Sequence, residues 1–144
     1  ESKRVGAGQM SKRIESGTVS INCQVEKVYG FLSNFDHFSA LLPEQVINWQ
    51  SNGDSCSFEV KGLATLGLRI TEKLPFTKIG MQGEGKIPFG FTLDSFFESV
   101  SEQQCTAQMV VNADMNPFIA MMVEKPLQNF VDMLIKKLKE EMEK

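Results

Sequence analysis

A chain of 144 residues, 42% hydrophobic and 23% charged, is long enough to bury a core without disulfide or metal support. Its net charge of −3 and its lack of a clustered basic face argue against nucleic acid as a partner. No apolar run approaches the roughly 18 residues of a spanning helix, and no hydrophobic leader stands at the start, so no stable membrane insertion and a cytoplasmic location are expected.

Three widely spaced cysteines, Cys23, Cys56 and Cys105, with a single histidine, His37, form neither a zinc motif nor a disulfide framework. No metal and no cofactor are expected, and the thiols read as small buried hydrophobes. The oligomeric expectation is a monomer or a weak dimer.

Residues 1–11 are polar and read as a disordered or expression-derived leader, with a single domain over 12–144. Lys12 to Cys23 is rich in β-branched residues and predicts a strand with a bulge at Gly17. Asn22 is placed to cap a short helix over Gln24–Ser33, and a second short helix over Asp36–Leu42 is stopped by Pro43.

From Val46 onward the pattern changes to strands. Val46–Gln50 and Ser55–Lys61 flank Ser51-Asn52-Gly53-Asp54, a strong hairpin turn because Asn and Gly tolerate positive φ. Cys56, Phe58 and Val60 alternate with Ser57, Glu59 and Lys61, the mark of a half-buried strand. Further strands are predicted over Ala64–Leu74, Thr77–Gln82, Phe89–Val100 and Cys105–Ala113, separated by turns at Gly62, Pro75, Gly85–Pro88 and Glu102–Gln104. In the first of these, Leu66, Leu68, Ile70, Glu72 and Leu74 share one phase.

The closing stretch, Asn116 to Met142, repeats Val123, Leu127, Phe130, Leu134 and Leu138 at steps of three and four, which puts all five on one face of a helix. Asn116 followed by Pro117 is a cap and first-turn pair. Pro126 deletes an interior hydrogen bond and pushes on the Met122 carbonyl, so a kink or break is expected near Lys125. At 1.5 Å per residue such a helix is about 39 Å long and must lie across the whole of the remaining chain. Six consecutive strands pair most simply as an antiparallel meander, and a sheet with one apolar face needs this helix as its cover. Where a twisted sheet curves away from a single helix, a cavity is expected.

The order of elements, together with Val28-Tyr29-Gly30-Phe31-Leu32, Asp36-His37-Phe38, Leu42-Pro43 and the Glu124–Leu134 stretch EKPLQNFVDML, resembles the Bet v 1-like, START-like superfamily. Within it the chain looks like a small bacterial-type member of the polyketide cyclase/dehydrase and lipid-transport (SRPBCC) group, over residues 12–142. The resemblance implies an α+β helix-grip fold of order β-α-α-β6-α: a seven-stranded curved antiparallel sheet around a long C-terminal helix. It also implies a hydrophobic small-molecule ligand, such as a lipid, sterol or polyketide-like compound. Two alternatives are a polyketide cyclase or aromatase-like enzyme using the same cavity and a protein-interaction module that regulates chaperones.

Phe58, Leu68, Met81, Phe91, Leu93, Ser95, Phe97 and Met109 from the strands, with Met122, Phe130 and Leu134 from the helix, are the candidate ligand-lining residues. They could equally be filled core. Eight methionines would give such a wall an adaptable surface. Glu72 and His37 are the candidates for polar contacts: a carboxylate in an apolar strand phase would be a base of raised pKa if buried, and a solvated group if a bulge turned it out. No residue stands out as catalytic, because no nucleophile, base and acid set falls in a recognisable motif.

Overall fold

The structure is a computed structural model and describes residues 10–61, 64–85 and 89–144. The leader up to residue 9 and the turns expected at Gly62 and over 86–88 lie outside the described residues. Strands β1 (Met10–Glu15) and β2 (Val19–Ile21) precede helices α1 (Val25–Leu32) and α2 (Phe35–Phe38) and a 3-10 turn, Ser39–Leu41. Strands β3 (Val46–Ser51), β4 (Ser55–Val60), β5 (Ala64–Leu74), β6 (Lys78–Gly85), β7 (Gly90–Ser101) and β8 (Gln104–Met115) follow, and helix α3 (Pro117–Met142) closes the chain.

All strands pair antiparallel, in the order β1-β8-β7-β6-β5-β4-β3 with β2 also beside β8. The result is a curved sheet with a long terminal helix, the helix-grip arrangement. It has eight strands rather than seven, because the expected first strand begins at Met10 and divides. Between Glu15↔Val110 and Val19↔Ala107, residues 16–18 face only residues 108 and 109. Ser16 holds the break together: its amide donates to the Met109 carbonyl at 2.9 Å, and its hydroxyl oxygen accepts the Met109 amide at 3.0 Å.

Asn22 does not cap α1. Gln24 takes that position without a side-chain bond, and the Asn22 amide instead donates to Glu143 Oε2 at 2.8 Å, joining the approach to α1 to the end of α3. The second short helix starts earlier than expected, because Asn34 Oδ1 accepts the Asp36 amide at 2.8 Å. Gly53, at φ +91°, makes the predicted turn, and its carbonyl accepts the Phe35 amide at 2.8 Å, so the same hairpin steadies α2.

Helix α3 begins as its sequence dictates, with Asn116 Oδ1 accepting the Ile119 amide at 2.8 Å and Pro117 in the first turn. It does not break at Pro126. Pro126 and Met122 are both on the exposed side, so the carbonyl that the proline leaves unbonded faces solvent and water can satisfy it. The helix is fastened along one edge of the sheet: Lys12 Nζ to Glu124 Oε1 at 3.3 Å, Gln128 Nε2 to the Glu15 carbonyl at 2.7 Å, and Lys139 Nζ to the Ser20 carbonyl at 2.6 Å.

Candidate functional site

The concave face of the sheet carries one contiguous apolar cluster, and α1 and α3 cover it. Strand alternation points Phe91, Leu93, Ser95 and Phe97 of β7 inward, between Ile79 and Met81 of β6 and Met109 and Val111 of β8. Phe58 and Leu68 extend the same face onto β4 and β5. Of the expected lining residues, Phe58, Leu68, Met81, Leu93, Ser95, Phe97, Met109 and Leu134 are buried, while Phe91 and Phe130 are half-buried. Met122 is a correction: at 59% exposure it points away from the sheet, because it lies off the stripe that includes Leu134 and Leu138.

Closure of this face is uneven along α3. Val131, Leu134, Ile135 and Leu138 towards its C-terminus are buried, whereas Ile119, Val123 and Leu127 of its N-terminal half and Phe130 at its middle are only half-buried, with the small side chain of Ala120 buried among them. Phe89 and Phe91 stand half-buried at the same end of the sheet, where β7 begins beside the end of β8. At the opposite end α1 packs over β6, β7 and β8, and Tyr29 meets Phe97 edge-on at 6.1 Å. The Phe91 ring lies over Gly83, and any side chain at that glycine would collide with it.

One aromatic group was not anticipated. Phe35 and Phe38 of α2 meet Trp49 of β3 at 6.2 and 6.0 Å, and Trp49 stacks on Phe58 at 5.7 Å. The signal was present in the Phe35-x-x-Phe38 spacing after the Asn34 cap, which turns both rings to one side.

Polar groups are scarce inside. Among the described residues the buried polar side chains are Ser16 and Ser95. Ser16 is fully engaged, but Ser95 Oγ, in a residue only 1% exposed, has no hydrogen-bond partner among the described residues. Burial pushes the Cys56 thiol up to about 12 and raises that of Cys105, so both stay neutral.

Glu72 is no polar contact for the interior, and of its two readings the solvated one, turned out by a bulge, holds. The ladder between β5 and β6 slips one residue between Ile70 and Glu72, which turns Glu72 to the convex face opposite Gly80. There it is exposed and pairs with Lys78 Nζ at 2.8 Å, and Leu74, expected in the inward phase, is exposed as well. His37 is also exposed, stacked on Phe31 at 5.3 Å with Nδ1 3.1 Å from the Phe31 carbonyl. Neither polar candidate faces the interior. On the convex face burial raises the Asp94 carboxyl, and Lys78 beside it acts in the opposite direction. No three His, Cys, Asp or Glu side chains converge as a metal site among the described residues.

No protein-family model and no curated protein matches the sequence. Solved structures do match the fold. Norcoclaurine synthase from Thalictrum flavum, solved in complex with dopamine and hydroxybenzaldehyde, aligns at TM-score 0.69 and 14% identity over 100% of this chain and 97% of that one. A START superfamily protein from Mycobacterium smegmatis aligns at TM-score 0.71 and 14% identity, over 94% and 97%. An uncharacterised protein from Bacillus thuringiensis aligns at TM-score 0.71 and 9% identity, over 92% and 98%. The chain has the START/Bet v 1-like fold.

Within this START/Bet v 1-like framework, two grooves of about 390 and 400 Å³ are lined by described residues, and both open on the convex face. The first runs over Arg13, Gln82, Thr92 and Asn112, the second over Phe96, Glu98, Thr106 and Gln108. Neither is the expected space between α3 and the sheet. Side chains fill much of that interior, with Met81 and Met109 among the fully buried ones. No helix among the described residues is long and apolar enough to cross a membrane.

Proposed function

We propose that the chain binds a hydrophobic small molecule between α3 and the concave face, entering beside Phe91 and the N-terminal half of α3. The observation that carries this reading is the gradient of closure along α3. Apolar side chains left half-buried at one end of a face sealed at the other support entry of a guest at that end. Phe58, Leu68, Met81, Phe91, Leu93, Ser95, Phe97, Met109, Phe130 and Leu134 line the path. Unbranched Met81 and Met109 supply the adaptability needed to admit a guest into a well-filled interior. A solved neighbour of the same fold is in complex with dopamine and hydroxybenzaldehyde, which supports small-molecule binding as a use of this fold.

Titration with N-phenyl-1-naphthylamine tests the reading. Saturable one-site fluorescence is expected, and Phe130→Trp, which enlarges a half-buried ring at the mouth, weakens it several-fold without unfolding the protein. Absence of saturable binding by the wild-type protein contradicts the proposal.

A second reading rests on Phe118, Met121 and Met122, exposed at 69%, 81% and 59%, which share one face of the first turns of α3. Such a stripe suits docking to an apolar surface of another protein, as a helix-grip interaction module does. The enzyme reading loses both candidate bases, since Glu72 and His37 lie on the outside.

A further inference from the structure

Among the described residues, the unpartnered hydroxyl of Ser95 is the one buried polar side-chain atom without a hydrogen bond. Burying a hydroxyl without a hydrogen bond costs stability, so most buried hydroxyls are bonded. Ser95 lies inward between Leu93 and Phe97, flanked across the ladders by Ile79 and Met109, both fully buried. Its surroundings are therefore apolar, and the other buried hydroxyl, Ser16, is already engaged by backbone.

We infer that Ser95 is the recognition point for the ligand's single polar atom, and that the ligand is an uncharged, elongated apolar alcohol or ketone that enters oxygen first. The inference rests on the binding function proposed above and specifies its chemistry. Two arguments set the class. The first concerns charge: no charged side chain is buried among the described residues, so a carboxylate or ammonium carried to this depth would stay unpaired at high cost. A neutral oxygen suffices, because a serine hydroxyl both donates and accepts and so serves an alcohol or a carbonyl equally.

The second argument concerns length. Phe91, at the mouth, and Ser95 are four residues apart on one strand, a span of about 13 Å at roughly 3.3 Å per residue. An apolar body of that length with a terminal oxygen reaches Ser95 while its tail lies between Leu93, Met81 and Phe91. A compact ring system with several polar groups would leave most of them unbonded.

The test compares wild-type protein with Ser95→Ala, using N-phenyl-1-naphthylamine as the direct probe and 1-decanol or decanoate at neutral pH as displacing ligands. Dye affinity is measured separately in each protein, so that displacement by 1-decanol is referred to that protein's own dye constant. The affinity for 1-decanol should fall about fivefold in Ser95→Ala, the worth of one neutral hydrogen bond. Decanoate should bind more weakly than 1-decanol to the wild type and be indifferent to the substitution. The ligand-free variant should melt at the same temperature or higher, because an unbonded hydroxyl has been removed.

Dye binding with 1-decanol affinity unchanged by Ser95→Ala overturns this inference alone, as does a lowered melting temperature of the free variant, which would show that the hydroxyl already has a partner. Tighter binding of decanoate than of 1-decanol overturns the uncharged class. Failure of dye and decanol alike to bind the wild type overturns the binding function and this inference with it.

Discussion

Cys56 and Leu134 show how strongly single positions feel the closed part of the interior. Burial lets the folded chain keep the Cys56 proton up to about 12, whereas an unfolded thiol releases it near 9.0. Stability that is complete below the unfolded value is therefore lost as pH climbs from there toward the folded one. Denaturant titrations at about pH 8 and about pH 10.5 should show a larger loss in the wild type than in Cys56→Ala. Leu134 has no exposed surface, so Leu134→Ala should cost about 2–5 kcal/mol in the same measurement. At this scale strand alternation in the sequence located the inward residues of β4 and β7, Ser95 included. It left Glu72 open between a buried base and a solvated group, because the slip after Ile70 adds one residue without altering the residue pattern, and every side chain beyond it changes face.

Among the elements, α3 was the most legible and also holds the main surprise. The Asn116-Pro117 start followed from capping chemistry, and Asn116→Ala should lower stability by about 1 kcal/mol, read as a lower thermal midpoint. The unbroken passage through Pro126 depends on which way the helix is turned, and that is settled by the ties to β1 and β2 from Glu124, Gln128 and Lys139. Those partners are more than a hundred residues distant in sequence, beyond the reach of local patterns. Pro126→Ala restores a backbone bond at an exposed site and should stabilise the chain by up to about 3 kcal/mol, with helicity by circular dichroism unchanged or slightly raised. The divided first strand was hidden for a related reason: Ser16 replaces ladder bonds with side-chain ones, and only the pairing with Met109 reveals it.

For the whole molecule, one strand, two short helices, a six-strand meander and an amphipathic rod were enough to indicate the helix-grip fold, because few arrangements cover a single apolar sheet face with a single helix. The sequence did not show how completely the cover seats. That depends on the distance at which the edge ties hold α3, and it leaves the C-terminal half of α3 sealed and the N-terminal half partly open. The central claim is that this opening leads a guest to the concave face, and the methionines are well placed to report it. Methyl NMR with labelled methionines, recorded during titration with 1-decanol, separates the fully buried pair Met81 and Met109 from the exposed pair Met121 and Met122. The account predicts saturable shifts at Met81 and Met109; shifts confined to Met121 and Met122 would contradict it.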